Sequence, residues 1–257
     1  MKFSIVQDTR KGGRPYNQDR LVYCEAPQAL LMAVADGMGG YAGGELAAQT
    51  AVSTLAKAFR TEAKPRLASP TAFFARAIPE IHDAIQSYGT KAGMREARTT
   101  LVACVIQDGC AHWTHVGDSR FYLMRAGRIF SRTKDHSVVQ ELIDAGRMRE
   151  EAISAHPDRS KLLRCLGGRA LPPLASPTAV APLAKDDRLL LCSDGLWGPL
   201  TPQRLLAGFI GNELTSAVPD LLNLAEERAG EDCDNISAIA MHWHTPAVVE
   251  HELAAAG

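Results

Sequence analysis

Two short apolar runs, each ending in Asp-Gly, constrain this chain more than any other feature. Leu30-Leu31-Met32-Ala33-Val34-Ala35 leads into Asp36-Gly37, and Leu189-Leu190-Leu191-Cys192-Ser193 leads into Asp194-Gly195. Runs of this length bounded by turn residues read as strands covered on both faces. Other strands follow from simpler signals. Residues 100–107 turn at Asp108-Gly109 into 111–116, and residues 121–125 turn at Ala126-Gly127 into 128–131, which predicts two hairpins. Residues 236–243 read as a late strand.

Helices come in blocks between these strands. Residues 45–60 carry Leu46, Ala51, Leu55, Ala58 and Phe59 on one face. Ser69-Pro70 opens a second helix with the stripe Phe74, Ile78, Ile81 and Ile85. Pro79 within that stripe predicts a kink or a split into two pieces. Residues 137–145 end at Gly146, Thr201-Pro202 opens another helix, and residues 216–229 end at Gly230. Strand-rich stretches separated by helix pairs argue for two packed sheets with helices outside, rather than an alternating parallel sheet.

The 257 residues, 46% hydrophobic and 22% charged, suffice for one large core, and no Pro/Ser-rich linker divides them. One domain over residues 1–244 is expected, with a patternless tail, 245–257, expected to be disordered. A formal net charge of -1 gives no reason to expect nucleic acid or an anionic membrane as partner. The N-terminal residues form no apolar signal core and no run approaches membrane-spanning length, so a cytoplasmic location is expected. Six cysteines without a Cys-x-x-Cys pair read as reduced, mostly buried thiols. His115, His242 and His244 lie in no His-Glu-x-x-His pattern and read as strand-end or surface residues.

The chemistry rests on aspartates. Asp36 and Asp194 each follow a buried strand, Asp118 follows the strand ending at Val116-Gly117, and Asp234 precedes the last strand. One Asp-Gly is usually only a turn. Four carboxylates gathered at sheet rims would repel one another unless cations held them. Oxygen ligands without paired His or Cys favour magnesium or manganese over zinc. Arg14, in an exposed turn after Gly12-Gly13, can grip two phosphate oxygens in one plane. Gln18 and Asp19 stand close enough in sequence to orient waters around the metals.

In order along the chain, Arg14-x-x-Asn17-Gln18-Asp19, 34–40 (Val-Ala-Asp-Gly-Met-Gly-Gly), Gly117-Asp118-Ser119-Arg120, Lys134-Asp135-His136-Ser137, Ser193-Asp194-Gly195-Leu196-Trp197 and Asp234-Asn235-Ile236-Ser237 resemble the motif series of the type 2C (PPM) metal-dependent serine/threonine protein phosphatases, bacterial branch. The resemblance covers residues 3–241. It implies an α+β fold, a four-layer α-β-β-α sandwich of two antiparallel sheets flanked by helix pairs. It implies hydrolysis of phosphoserine and phosphothreonine by a water bridging two Mn2+ or Mg2+ ions about 4 Å apart. It places Asp36 across both metals with the Gly37 carbonyl on one of them. Asp194 and Asp234 hold the other metal, and Asp118 takes a third, weaker one. Arg14 would bind phosphate, with Gln18, Asp19 and Asn235 behind the metals. Phosphorylated proteins made by a Ser/Thr kinase are the implied partners, and a monomer is expected.

Two positions depart from that pattern. Gln18 stands where many members have Glu, which removes one carboxylate near the metals. Met38 stands where eukaryotic members have a histidine proposed as general acid, which leaves water as the first candidate to protonate the leaving oxygen. The segment 146–169 corresponds to the family's variable flap. Its Arg147, Arg149, His156, Arg159, Lys161, Arg164 and Arg169 outnumber Glu150, Glu151 and Asp158. Such a run is ordinarily a solvated, mobile loop; beside a phosphate site it can also engage an acidic phosphopeptide. The alternatives are weaker. A nucleotide loop at 37–44 lacks the Gly-Lys-Ser/Thr ending. A non-catalytic phosphopeptide-binding module on the same fold would be favoured by loss of a metal aspartate, and none is lost.

Overall fold

The computed structural model describes residues 1–38, 41–168 and 177–244. Gly39 and Gly40 of the second motif, Arg169 at the end of the flap and the tail 245–257 lie outside the described residues. Strands β1 (Phe3–Arg10), β2 (Arg20–Ala26), β3 (Ala29–Ala35) and β4 (Gly37–Met38) lead into helices α1 (Tyr41–Glu62) and α2 (Pro70–Lys91). Then come β5 (Arg98–Thr99), β6 (Leu101–Gln107), β7 (Cys110–Val116), β8 (Arg120–Arg125), β9 (Arg128–Arg132), α3 (Val138–Asp144) and β10 (Leu166–Gly167). The last elements are β11 (Ala179–Pro182), β12 (Arg188–Cys192), α4 (Asp194–Trp197), α5 (Pro202–Phe209), α6 (Leu214–Ala229) and β13 (Ile236–Trp243).

Alternation along the buried strands decides the layering. Leu30, Met32 and Val34 of β3 face the same apolar layer as Leu189 and Leu191 of β12 and Ile239, Met241 and Trp243 of β13. Leu31, Ala33 and Ala35 point the other way, into a layer with α1 and α2. Leu190 and Cys192 point into a third layer with α5 and α6. Three apolar layers separate four layers of structure, and a one-residue slip in β3 would exchange two of them. The sheets are β1-β13-β12-β8-β9 and β11-β7-β6-β3-β2, all neighbours antiparallel, as the α-β-β-α expectation requires. A small third sheet, β10-β5-β4, sits at one rim.

Topology also gathers the aspartates. β3 and β7 flank antiparallel β6 and therefore run the same way, so Asp36 and Asp118 leave the same end of one sheet. In the other sheet β12 ends where antiparallel β13 begins, which brings Asp194 beside Asp234.

The structure corrects four local expectations. Helix α1 starts at Tyr41, not at residue 45, and so takes Gly43 and Gly44 into its first turn. Helix α2 runs continuously through Pro79 and is not split into two pieces. That proline and Ala75, whose carbonyl it leaves without a donor, both face solvent, where the carbonyl is open to hydration. Strands β1, β2 and β11 carried no signal because they lie at sheet edges with only partial cover. The flap is not simply a solvated loop. Ile153 is buried against the α5–α6 layer, Leu163 N–H donates to the His136 carbonyl at 2.8 Å, and β10 pairs with β5. Capping follows the sequence signals: Ser69, Ser137 and Thr201 each accept a first-turn backbone N–H.

Candidate metal centre

A cavity of about 430 Å3 opens at the rim where these strand ends meet. Asp36, Gly37, Asp118, Asp194, Asp234, Asn235, Gln18 and Arg14 all line it, together with Met38 and Thr100. Among the described residues no group of three or more His, Cys, Asp or Glu is drawn together so as to hold a metal ion; the carboxylates border the cavity instead.

Each carboxylate is held from its own strand. Asp36 is fixed through its backbone, its N–H donating to Thr100 Oγ1 at 3.1 Å and its carbonyl accepting from Thr100 N–H at 2.9 Å. Thr100 Oγ1 in turn lies 2.7 Å from Ser119 Oγ. Gly37 does not turn sharply, as its Asp-Gly setting suggests, but continues as β4 opposite Thr99. Glycine is needed there for space: a Cβ would come 2.3 Å from the Gly44 carbonyl and 2.7 Å from that of Gln18. Gly117 holds φ at +102°, and this turn aims Asp118 into the rim. Asp118 is then backed by Trp197, whose indole N–H donates to the Asp118 carbonyl at 3.0 Å. Arg120 lies 3.5 Å above the Trp197 ring and pairs with Asp135 through two bonds of 2.7 and 2.8 Å, all three side chains being buried.

Asp19, expected to orient waters around the metals, is only 2% exposed. Its Oδ2 accepts from Ser193 Oγ at 2.7 Å while its Oδ1 is buried with no partner. Asp194 Oδ1 is likewise buried without a partner. Buried anionic oxygens left in this state are costly unless a cation completes them. The titration behaviour agrees. Burial first, then neighbouring carboxylates, holds Asp36 and Asp118 well above the ordinary range. Burial raises Asp19 to about 8, and burial with Asp234 raises Asp194 to about 6. Oxygen donors, mutual repulsion and orphaned carboxylate oxygens together fit hard divalent cations.

Arg14 sits at the mouth and is engaged rather than free. Its Nε and Nη2 donate to the two oxygens of Asp234 at 3.0 and 2.8 Å. Asn235 is a clamp for the turn that carries it. Its side-chain amide donates to the carbonyls of Lys11 and Tyr16, and its Oδ1 accepts from the Gln18 N–H. His115 lies at the end of β7, as read, but is buried there and stacks on His136. His136 accepts from Gly117 N–H at 3.2 Å and so supports the Asp118 turn. Sequence reasoning gave Thr100, Ser193, Asp135 and Trp197 no supporting role. Asp135, Ser193 and Trp197 stand within the motifs quoted above, whereas Thr100 carried no such signal.

The raised carboxyls make a prediction about pH. Their folded pKa values lie above the ordinary value near 4, so the cation-free fold holds more protons than the unfolded chain between there and about 6 to 8. Raising the pH through that window therefore removes stability from the cation-free protein, and a cation must displace fewer protons to bind. The expected result is that the rise in melting temperature on adding manganese grows from about pH 5 to about pH 8. Melts in chelator and in excess manganese across that range check it; a constant or shrinking gap contradicts it.

An α-β-β-α sandwich with four carboxylates and a guanidinium at one rim defines the scaffold of a metal-dependent phosphatase. The chain belongs to the protein phosphatase 2C family, which matches it over residues 9–217. It is 35% identical over 205 residues to the serine/threonine protein phosphatase PstP of Mycobacterium tuberculosis, covering 79% of this chain and 39% of that protein. It thus spans about two fifths of the length of that curated relative. It is 32% identical to the serine/threonine phosphatase stp of Listeria welshimeri over 85% of this chain and 88% of that one. The crystal structure of the PstP catalytic domain in complex with two manganese ions superposes with a TM-score of 0.80 at 29% identity, covering 95% of this chain and 99% of that chain.

Proposed function

We propose that this chain is a protein serine/threonine phosphatase that hydrolyses phosphoserine and phosphothreonine with two Mn2+ or Mg2+ ions in the carboxylate cavity. The observation that carries the reading is the convergence of Asp36, Asp118, Asp194 and Asp234 on one cavity with Arg14 at its mouth. Asp36 and the Gly37 carbonyl would hold one cation, and Asp36, Asp194 and Asp234 the second. Asp118 would take a weaker third, with Gln18, Asp19 and Asn235 around them. When bound, the ions supply a nucleophilic water at neutral pH and balance charge on the phosphoryl oxygens.

The chain's own groups bind and orient. Arg14 turns its planar fork to two phosphate oxygens and holds the ester in line. The Asn235 clamp keeps that arginine at the mouth, and the Trp197–Arg120–Asp135 stack keeps Asp118 from collapsing toward its neighbours. Gln18 brings an amide where a carboxylate would add charge, so the cations are held less tightly. The flap, 146–169, borders the cavity through Ser160 and Leu162.

The natural partners in this reading are phosphoproteins produced by a Ser/Thr kinase, met by a monomer in the cytoplasm as part of a signalling pair. No described helix is long and apolar enough to cross a membrane, and the net charge of -1 offers no attraction to nucleic acid. A binding-only role is not favoured, since each of the metal aspartates, Asp36, Asp118, Asp194 and Asp234, is in place. The test is turnover of p-nitrophenyl phosphate and of a phosphothreonine peptide. Activity is expected with added manganese or magnesium and is lost in chelator, because carboxylate-and-water sites hold these ions loosely. Full activity after exhaustive chelation rules out the two-cation mechanism, and no activity with either metal favours the binding module.

A further inference from the structure

A second groove, of about 410 Å3, continues from the carboxylate cavity and shares Arg14, Ser160, Asp194 and Asp234 with it. A polypeptide whose phosphorylated residue reached Arg14 would lay its neighbouring residues here, at about 3.3 Å per residue if extended. The rest of the wall comes from three separated parts of the chain: Ile153 and Arg159 of the flap, Trp197 and Pro199 around α4, and Arg228 in the last turn of α6, with Asp232 just beyond.

The groove differs in chemistry from the cavity. Ile153 and Trp197 are buried and give it an apolar floor, while Arg159 and Arg228 are exposed along its sides. The charge of Arg159 reaches the Asp194 carboxyl, opposing the rise that burial causes there. Asp194 and Asp234 are the carboxylates assigned above to the cations. With those two neutralised, the charged side chains left in the lining are Arg14, Arg159 and Arg228 against Asp232. A loaded groove is therefore positive, and its far end carries two guanidinium groups that the hydrolysis of the ester does not require. An apolar floor with cationic walls suits an anionic side chain on a short stem.

We propose that this groove is a second anion subsite, in which Arg159 and Arg228 hold an acidic side chain of the substrate protein close in sequence to its phosphorylated residue. The proposal rests on the phosphatase reading above. A carboxylate and a second phosphate share the required chemistry, and the peptides chosen below tell them apart.

The experiment compares three phosphothreonine peptides, flanked by glutamine, by glutamate or by a second phosphothreonine, with manganese saturating. Each kcat/KM is divided by p-nitrophenyl phosphate turnover of the same variant, so that any change at the cation site cancels. The parent is expected to prefer an anionic peptide over the neutral one. A larger gain with glutamate assigns the subsite to a carboxylate, and a larger gain with phosphothreonine to a phosphate. Arg228→Gln and Arg159→Gln should each lower the preference about three- to fivefold, through KM rather than kcat. Arg228→Glu should lower it on the order of tenfold, because it opposes like charges. A parent without the preference, or one kept intact in all three variants, overturns the proposal while leaving the phosphatase reading standing. Absence of p-nitrophenyl phosphate turnover in the parent overturns both.

Discussion

Asparagine at position 36 or 194 abolishes turnover and leaves a folded protein. The substitution is nearly isosteric, so the layers behind the rim are undisturbed. What is lost is one anionic donor among carboxylates where burial, and then mutual repulsion, holds Asp36 well above the ordinary range and Asp194 at about 6. In the absence of cation that loss is a relief, and the melting temperature in chelator should rise. In the presence of cation it removes charge where the reaction needs it, and kcat/KM should fall on the order of a thousandfold. The two readouts move in opposite directions, which separates a metal-site defect from misfolding. Near-parental turnover of either variant at saturating manganese would falsify the assignment of these aspartates.

Arg14→Ala is the second large effect, and the structure revises what it should do. Loss of a bidentate, charge-assisted grip on phosphate costs about 1.5–3 kcal/mol, or about 10- to 150-fold in kcat/KM. Part of the loss belongs in KM, because the guanidinium contacts ground state and transition state alike. From the sequence, Arg14 is no ligand and its removal should leave metal affinity unchanged. The structure instead pairs it with both oxygens of Asp234. A cation approaching Asp234 meets that positive charge, so Arg14→Ala should bind manganese more tightly. The gain is at most about fivefold, since the pair is half exposed and screened by solvent. Lysine should restore the charge but not the planar fork, giving partial rescue of kcat/KM. Steady-state kinetics with calorimetric manganese titration for each variant decide this. Parental kcat/KM in Arg14→Ala removes the residue from the site, and weakened manganese binding makes it a support of the cation instead.

Much of this protein was legible before folding, and the reason is local. Residues 30–35 and 189–192 are apolar throughout because both faces of each strand are covered, and the Asp-Gly that follows at 36–37 and 194–195 lies just past the strand ends. Ser69, Ser137 and Thr201 announce helices because a cap needs only its own first turn. The order of the aspartate motifs identified the family because each motif is confined to a few consecutive residues. Edge strands β1, β2 and β11 escaped because half-covered backbone imposes no periodicity strong enough to read. Pro79 does not divide α2 because it and Ala75, whose carbonyl loses its donor, both face solvent.

Tertiary structure alone decided the rest, since it depends on distances between residues far apart in the chain. Nothing near position 19 shows that its carboxylate lies under Ser193, 174 residues on, with one oxygen left unpartnered. Nothing near position 14 shows that Asp234 occupies its guanidinium. Gly37 reads as a turn residue, yet its need for hydrogen in place of a side chain comes from the Gly44 and Gln18 carbonyls packed against it. The sequence determined which groups can do chemistry with a phosphate ester; the packing of two sheets determined how far apart those groups stand, and electrostatic interactions between them depend on that separation and on the water excluded between them.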